Sequence, residues 1–154
     1  MEIWEIEARE CIRDLVARYN ANGDSGRIDA MAELFAEEAV MVIAPDSEHK
    51  GRKAIHAMFS GVAAGTRSQA GSGVRFIRHY TATHQIDVLG PDEARGRCYY
   101  AVLTDRGLDH WGRYIDQYRR IGGRWQFWHR TCTTDGRVEG SWAQASSERR
   151  ARGS

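Results

Sequence analysis

The sequence has few cysteines, and they form no recognisable pattern. Cys11, Cys98 and Cys132 are odd in number, far apart and not at the spacing of zinc ligands. Such usage is typical of small buried side chains in a reducing compartment and argues against a disulfide framework. The sequence also lacks a phosphate-binding glycine loop and a dinucleotide-binding fingerprint. It therefore predicts a protein that needs neither a metal nor a cofactor.

An excess of charge of one sign is also missing. Lys and Arg total 22 and Asp and Glu total 21, with the arginines scattered rather than clustered. We therefore expect neither a nucleic acid nor a membrane surface as a partner. No apolar run approaches the roughly 20 residues that a membrane helix needs. Residues 1–5 are acidic and lack the apolar segment of a signal peptide, so a cytoplasmic location is expected.

The first half of the chain has helical patterns. The 154 residues, 42% of them hydrophobic, are enough for one domain with a core. Residues 3–21 repeat apolar side chains at helical spacing, and the cluster at 22–26 ends that helix. A second helix is predicted with Ser25 as its cap and with Ile28, Met31 and Phe35 on its apolar side. A short strand at 40–43 and a third helix after Gly51 follow.

The second half is predicted to be strands. The polar, glycine-rich stretch at 65–73 indicates a flexible loop, which we interpret as a lid. Strands are predicted at about 74–89, 93–104, 110–121 and 124–134. Short turns between long strands favour an antiparallel meander. Helices followed by strands are the α+β order. We place the domain at residues 1–136 and expect 137–154 to be a loose polar tail.

Four residues are candidates for catalysis. Asp24 lies in the turn after the first helix, and His79 lies in the middle of a strand. An Asp beside a His orients the imidazole and stabilises its protonated form, which makes the His a better general base. Tyr19, on the buried stripe of the first helix, and Arg130, in the last strand, are suited to stabilise a developing oxyanion or a leaving group.

Strand alternation predicts which residues line the substrate site. If Trp125 and Phe127 face the hydrophobic layer, then Trp128, Arg130 and Cys132 face the other side. His84 is five residues after His79, so it is expected on the opposite face of its strand. The predicted substrate-binding residues, which share an inner face by this reasoning, are Cys98, Tyr100, Val102, His110, Tyr114 and Trp128.

Several short stretches of the chain resemble SnoaL-like proteins of the nuclear-transport-factor-two-like superfamily. They occur in the family's order between about residues 8 and 134. They are Ile12-Arg13-Asp14-Leu15, Arg18-Tyr19-Asn20, Asp24-Ser25-Gly26, Leu34-Phe35-Ala36, Lys50-Gly51-Arg52, Arg78-His79, Gly112-Arg113-Tyr114-Ile115-Asp116 and Gly123-Arg124-Trp125-Gln126-Phe127. The resemblance implies a cone in which three N-terminal helices pack on a strongly curved, mostly antiparallel sheet and enclose a pocket.

The resemblance is to the branch that holds scytalone dehydratase, bile-acid dehydratases and hexachlorocyclohexane dehydrochlorinase. In those enzymes an Asp–His pair removes a proton while a hydroxyl or a halide leaves. This implies that Asp24 and His79 form the pair, that Tyr19 polarises a substrate oxygen, and that Arg130 assists the leaving group.

The sequence thus predicts a cofactor-independent lyase acting on a small hydrophobic cyclic or polyketide- or steroid-like substrate. Two alternatives stay open: an isomerase, cyclase or epoxide hydrolase using the same pocket, and a non-catalytic module that binds a small molecule. Five Trp and six Tyr in a one-sided sheet also predict a homo-oligomer, dimer or trimer.

Overall fold

A computed structural model describes residues 1–45, 47–68 and 74–143. Those ranges contain three helices and six strands. In chain order they are α1 (Ile3–Asp24), α2 (Ile28–Ala32), β1 (Phe35–Ile43), β2 (Ser47–Lys50), α3 (Arg52–Ser68), β3 (Ile77–Gly90), β4 (Glu93–Thr104), β5 (Gly107–Ile121) and β6 (Arg124–Arg137).

The six strands form one curved sheet with the order β2-β1-β6-β5-β4-β3. Four of its five pairings are antiparallel, and β1 with β6 is the parallel exception. The meander β3 to β6 follows from the short turns that end at Glu93, Gly107 and Arg124. The α+β class and the mostly antiparallel sheet are therefore confirmed.

The two faces of the sheet differ in burial. In β4 every second residue from Ala94 to Thr104 is buried, and the residues between them are exposed or half-buried. β5 alternates in the same way from His110 to Tyr118. We call the buried side, which packs against the helices, the inner face, and the other side the outer face. The core joins the inner face to the apolar sides of α1 and α3.

The second helix is shorter than predicted, and the first strand is longer. α2 ends at Ala32, and Phe35 begins β1. Ser25 is not the cap of α2 but the C-cap residue that follows α1. Phe35 pairs with Phe127 of β6, whose backbone N–H donates to the Leu34 carbonyl at 3.0 Å. Pairing with a distant strand outweighs the helical spacing of a short segment.

The predicted lid at 65–73 and the predicted tail at 137–154 also begin at other residues in the structure. Residues 65–68 continue α3, whereas the rest of the predicted lid, 69–73, lies outside the described residues. β6 continues to Arg137, and the Val138 N–H donates to the Asp109 carbonyl at 2.9 Å. The segment 138–143 thus returns to the start of β5, and residues 144–154 of the predicted tail lie outside the described part.

Among the described helices, none is long and apolar enough to cross a membrane.

Candidate functional site

The end of α1 and the beginning of β3 bring Asp24 and His79 together. The His79 ring nitrogen Nδ1 lies 2.6 Å from Asp24 Oδ1, and the His79 backbone N–H donates to Asp24 Oδ2 at 2.9 Å. α1 is held on β3 by Arg9 as well, which donates to the Ile86 carbonyl. Since Asp24 binds both the backbone and the ring of His79, it fixes the ring orientation and leaves Nε2 as the reactive nitrogen.

This pair is accessible enough to meet a ligand. The side chain of His79 is 21% exposed and that of Asp24 is 11% exposed. The predicted hydrogen bond between the two residues is confirmed, with one adjustment. Asp24 is the last residue of α1 rather than a residue of the following turn. The catalytic roles of the two residues stay a prediction.

An ion pair lies at the centre of the core. Arg130 donates from Nε to Asp116 Oδ1 at 2.8 Å and from Nη2 to Asp116 Oδ2 at 2.7 Å, and both side chains are fully buried. The Tyr118 hydroxyl donates to Asp116 Oδ2 at 2.7 Å. Burial alone would lower the pKa of Arg130, but the Asp116 carboxylate outweighs burial and raises that pKa well above its usual value.

Aromatic rings surround the Arg130 guanidinium. Its carbon Cζ lies 4.1–4.2 Å from the ring centres of Tyr19, Tyr114 and Phe127. Contacts of this kind stabilise a cation that has lost its water. Arg130 Nη1 is enclosed and has no hydrogen-bond partner in the described part of the chain. The core therefore holds a desolvated ion pair whose guanidinium lies immediately beside Tyr19.

The four predicted catalytic residues form two pairs rather than one cluster. Asp24 contacts His79, and Tyr19 contacts Arg130. The rings of Tyr100 and Tyr114, stacked with centres 4.7 Å apart, connect the pairs. Tyr100 lies 6.3 Å from the His79 ring, and Tyr114 lies 5.9 Å from Tyr19. Burial raises the pKa of Tyr19, so its hydroxyl stays a hydrogen-bond donor.

Five of the six predicted substrate-binding residues lie on the inner face: Cys98, Tyr100, Val102, His110 and Tyr114. Their contact with a substrate stays a prediction. The Tyr100 hydroxyl already donates to the Thr133 carbonyl at 3.0 Å. Burial raises the pKa of Cys98 to about 11, so this thiol is protonated at neutral pH and packs as an apolar side chain.

The alternation of faces predicted for β6 does not hold, and contact of Trp128 with a substrate stays a prediction. The pairing of β5 with β6 shifts between Gln117 and Tyr118, because Trp128 is an extra residue in β6. A bulge of this kind interrupts the alternation of faces. As a result Phe127 and Arg130 share the inner face. Trp128 is half-buried against the core, and the Arg119 guanidinium carbon lies 4.3 Å from the centre of the Trp128 ring.

The expectation that His84 faces away from the site is also wrong. The pairing of β3 with β4 shifts between Ala82 and Gln85, and Thr83 has a φ of 53°. This bulge turns His84 to the inner face, where its Nε2 lies 3.3 Å from the Tyr118 hydroxyl. A polar chain therefore runs from His84 through Tyr118 and Asp116 to Arg130, which the sequence reasoning missed.

Gly96 makes room for that chain. A Cβ atom at Gly96 would lie 2.8 Å from Tyr118 Cε2 and 3.0 Å from its hydroxyl oxygen. Real Cβ atoms are excluded at such distances, so any larger residue would displace the Tyr118 ring. The glycine lets the Tyr118 ring cross β4 and reach His84.

The start of β5 holds a second Asp–His pair. His110 Nδ1 lies 2.7 Å from Asp109 Oδ2, and both side chains are more than nine-tenths buried. Adjacent residues of a regular strand face opposite sides. Here Asp109 is an extra residue in the pairing of β5 with β4, so both side chains are buried together. Sequence reasoning found His110 but missed its carboxylate.

Sequence and structure comparisons place the chain in a family. The model of the SnoaL-like domain matches residues 4–131. The chain belongs to the SnoaL-like domain family. No curated protein sequence matches it.

Solved structures share the SnoaL-like fold. A proposed scytalone dehydratase of Novosphingobium aromaticivorans is 22% identical, with a TM-score of 0.76 over 90% of this chain and 91% of that one. An NTF2-like protein with a cystatin-like fold from the same organism is 26% identical, with a TM-score of 0.70 over 92% and 88%. A hexachlorocyclohexane dehydrochlorinase is 16% identical, with a TM-score of 0.72 over 91% and 95%.

The described part of this SnoaL-like domain contains no group of three or more His, Cys, Asp or Glu side chains arranged to hold a metal ion. Its polar residues instead hydrogen-bond in pairs and chains. The chemistry that the Asp24–His79 pair can support is proton transfer by an oriented imidazole.

Replacing His84 with Gln is expected to make the stability of the SnoaL-like domain less dependent on pH. Burial lowers the pKa of His84, aided by Arg130 and Arg13 and opposed by Asp116. Below the ordinary histidine pKa of about 6.5, the unfolded chain therefore binds more protons at this position than the folded one. Folded stability contributed by neutral His84 is lost as the pH falls from about 7 towards 5.

Urea unfolding of the wild type and of His84→Gln across that pH range measures the effect. Glutamine keeps a donor near Tyr118 but does not titrate. The free energy of unfolding of the His84→Gln variant is therefore expected to fall less steeply than that of the wild type as the pH falls. It does not become flat, because burial lowers the pKa of His110 as well. Equal slopes in the two proteins would show that His84 is not held neutral.

Proposed function

We propose that the protein is a cofactor-independent lyase of the dehydratase type. Its substrate is a small hydrophobic cyclic molecule, such as a polyketide- or steroid-like compound. The observation that supports this most is the Asp24–His79 pair, with its 2.6 Å hydrogen bond and its partly exposed imidazole. A general base must be oriented and accessible; Asp24 orients this histidine, and its side chain is partly exposed.

The proposed elimination needs one proton relay. His79 Nε2 takes a proton from a carbon next to a carbonyl, and the electron pair of that C–H bond moves to form an enolate. The enolate then re-forms the carbonyl and makes a C=C bond as the neighbouring C–O bond breaks. The imidazolium gives its proton to the departing hydroxyl, so water leaves and His79 returns to its neutral form. Asp24 stabilises the imidazolium in between.

Tyr19 and Arg130 are proposed to stabilise the enolate. The Tyr19 hydroxyl is the group that donates to the substrate oxygen. Arg130 is fully buried, so we expect it to act through its charge beside the Tyr19 ring rather than by touching the substrate. Because Asp116 offsets the Arg130 charge at longer range, the guanidinium favours only negative charge that develops close to it.

The alternative of an isomerase with a carboxylate base is less well supported. Like Asp109, Asp116 is a deeply buried carboxylate. Both of its oxygens already accept hydrogen bonds, from Arg130 and from Tyr118. A carboxylate engaged in this way is a poor base. Among the described residues, none hydrogen-bonds to His79 Nε2.

The experiment that tests the proposal is incubation of the protein with cyclic β-hydroxy ketones in D₂O, followed by mass spectrometry. Loss of one water with His79 intact supports a dehydratase. Deuterium incorporation without loss of water, or a product of unchanged mass, would point to an isomerase or a cyclase. The absence of both exchange and product over the panel would favour the non-catalytic binding module.

We also propose that the protein is a homo-oligomer, joined through the outer face. That face exposes large apolar side chains on neighbouring strands, including Tyr80, Tyr99, Trp111 and Ile115, each between 38% and 59% exposed. Tyr80 and Trp111 both pair with Ala101, so they lie in one row across the sheet. A clustered apolar surface of this kind is usually covered by a partner.

Light scattering is expected to give a mass of two or three 17.4 kDa chains at micromolar concentration. Placing charge at the centre of the surface, as in Tyr99→Glu with Ile115→Glu, is expected to give monomers, because burying unpaired charges is costly. The exposed change Glu10→Gln on α1 is the control and leaves the mass unchanged. A wild-type mass of one chain contradicts the proposal.

A further inference from the structure

The ring of Tyr100 contacts the imidazoles of both Asp–His pairs. Its centre lies 6.3 Å from that of His79, with 44° between the ring planes, and 6.0 Å from that of His110, with 76° between the planes. Tyr100 is only 4% exposed, whereas the His79 side chain is 21% exposed. The tyrosine ring is therefore placed to support the His79 imidazole from the interior of the domain.

The Tyr100 ring is itself held at one end and on one face. Its hydroxyl donates to the Thr133 carbonyl at 3.0 Å, and Thr134 Oγ1 lies 3.2 Å from the same hydroxyl. One face of the ring stacks on Tyr114, with centres 4.7 Å apart and planes 19° apart. Any movement of the Tyr100 ring away from His79 would break these contacts.

Gly112 of β5 makes the anchor on Thr133 possible. Gly112 pairs with Tyr100 of β4, and a Cβ atom at Gly112 would overlap the Thr133 carbonyl oxygen and lie 2.8 Å from the Tyr100 hydroxyl oxygen. The carbonyl thus occupies the space that a side chain at position 112 would need. Asp135 is an extra residue of β6 beside this point, and a bulge of this kind changes the direction of neighbouring groups. The glycine and the bulge together give Tyr100 its acceptor.

Asp24 and Tyr100 restrain the His79 ring in different ways. The hydrogen bond from Nδ1 to Asp24 decides which nitrogen points away from the carboxylate. Hydrogen bonds tolerate angular deviations of about 30°, so this bond resists a tilt of the ring only weakly. A tilt moves Nε2, and a misplacement of a reacting group by about 1 Å can cost about 100-fold in rate. The contact with Tyr100 limits that tilt.

We infer that Tyr100 is a positioning residue for the candidate base. Its ring, anchored on the Thr133 carbonyl, limits the tilt of the His79 imidazole and thereby sets the direction of Nε2. The inference rests on the proposed function for the role of His79 as a base. The restraint on the imidazole is a property of the protein alone and is measured without a substrate.

The NMR signal of the proton on His79 Nδ1 tests the restraint. A proton in a 2.6 Å hydrogen bond resonates far downfield and moves when the bond is bent or lengthened, and its absence in His79→Ala identifies it. The signal should move in Tyr100→Phe, which loses the anchor, and move further in Tyr100→Leu, which also loses the ring. Tyr118→Phe is the matched control. It removes the hydroxyl of another inner-face tyrosine, one that donates to Asp116, and should leave the signal in place.

An unmoved signal in Tyr100→Leu would overturn the inference, as would an equal shift in Tyr118→Phe. A signal that moves in Tyr100→Leu but not in Tyr100→Phe would overturn the anchor on Thr133. Circular dichroism confirms that each variant is folded.

Turnover separates positioning from substrate contact. On a compound that the protein converts, Tyr100→Phe should lower kcat by about 2- to 12-fold, the equivalent of one hydrogen bond, and leave KM within about twofold. A raised KM with unchanged kcat would overturn the positioning role and make Tyr100 a substrate contact. If no compound is converted, the proposed lyase activity fails, whereas the NMR signal still decides whether Tyr100 restrains the imidazole.

Discussion

Replacing His79 with Ala is expected to lower turnover by about 100- to 10,000-fold, the usual contribution of a general base. The fold should persist, because the His79 side chain is partly exposed and its backbone N–H still donates to Asp24. Steady-state rates on any substrate found by the D₂O experiment measure the loss. Circular dichroism confirms the fold.

The neighbours of His79 give graded controls. Asp24→Asn should resemble the loss of His79, because a neutral amide cannot stabilise the imidazolium and can select the wrong tautomer. Tyr19→Phe removes one donor and should cost at most about 3–4 kcal/mol of transition-state stabilisation. His129→Ala, which changes a mid-strand histidine paired with Gln117 of the outer face, should keep wild-type turnover. Wild-type turnover in His79→Ala would show that the base is another group.

Short-range patterns were enough to predict much of the fold, and the family resemblance added the pairing of Asp24 with His79. The alternation in β4 gives its boundaries, Glu93 to Thr104, and its buried side. The turns fix the order of β3 to β6, because a few residues cannot join strands in any other way. Asp24 was placed near the end of α1 and His79 in β3 from these patterns. The family resemblance then indicated that the two residues meet.

The errors at the site come from bulges, which alternation does not show. In a regular hairpin with its turn at Gly122-Gly123, Asp116 of β5 would lie opposite His129 of β6. The extra residue Trp128 shifts the register by one, so that Asp116 lies opposite Arg130 instead. The bulge at Thr83 brings His84 to the inner face in the same way. Thr is a β-branched residue and rarely takes a positive φ, so nothing in that stretch signals a bulge as a glycine would have done.

The length of α2 was mispredicted for a different reason. Ile28, Met31 and Phe35 do recur at helical spacing, and only the parallel partner strand β6 decides that Phe35 is in a strand. That partner begins about ninety residues later in the chain. Local patterns contain no information about such a pairing.

Breaking the buried Asp116–Arg130 pair is expected to cost about 3–5 kcal/mol of unfolding free energy, the usual result when one partner of a buried ion pair is removed. Asp116→Leu leaves the Arg130 guanidinium fully buried with no carboxylate. Arg130→Met leaves the Asp116 carboxylate with the Tyr118 hydroxyl alone. Since a domain of this kind is stable by about 5–15 kcal/mol, each single change removes a large share of the total. Urea unfolding followed by circular dichroism measures it.

The double variant, Asp116→Leu with Arg130→Met, distinguishes a charge effect from a simple loss of packing. It removes both charges and fills the space with apolar atoms, so it should be more stable than either single variant, as found for other buried pairs. The exposed pair of Arg113 and Asp135, whose nearest atoms are 3.0 Å apart, is the control, and Asp135→Asn should change the free energy by less than about 1 kcal/mol. If the two single losses simply add in the double variant, the pair contributes through shape alone. If instead the double variant is stable but loses turnover, the charge of Arg130 is retained for catalysis rather than for folding.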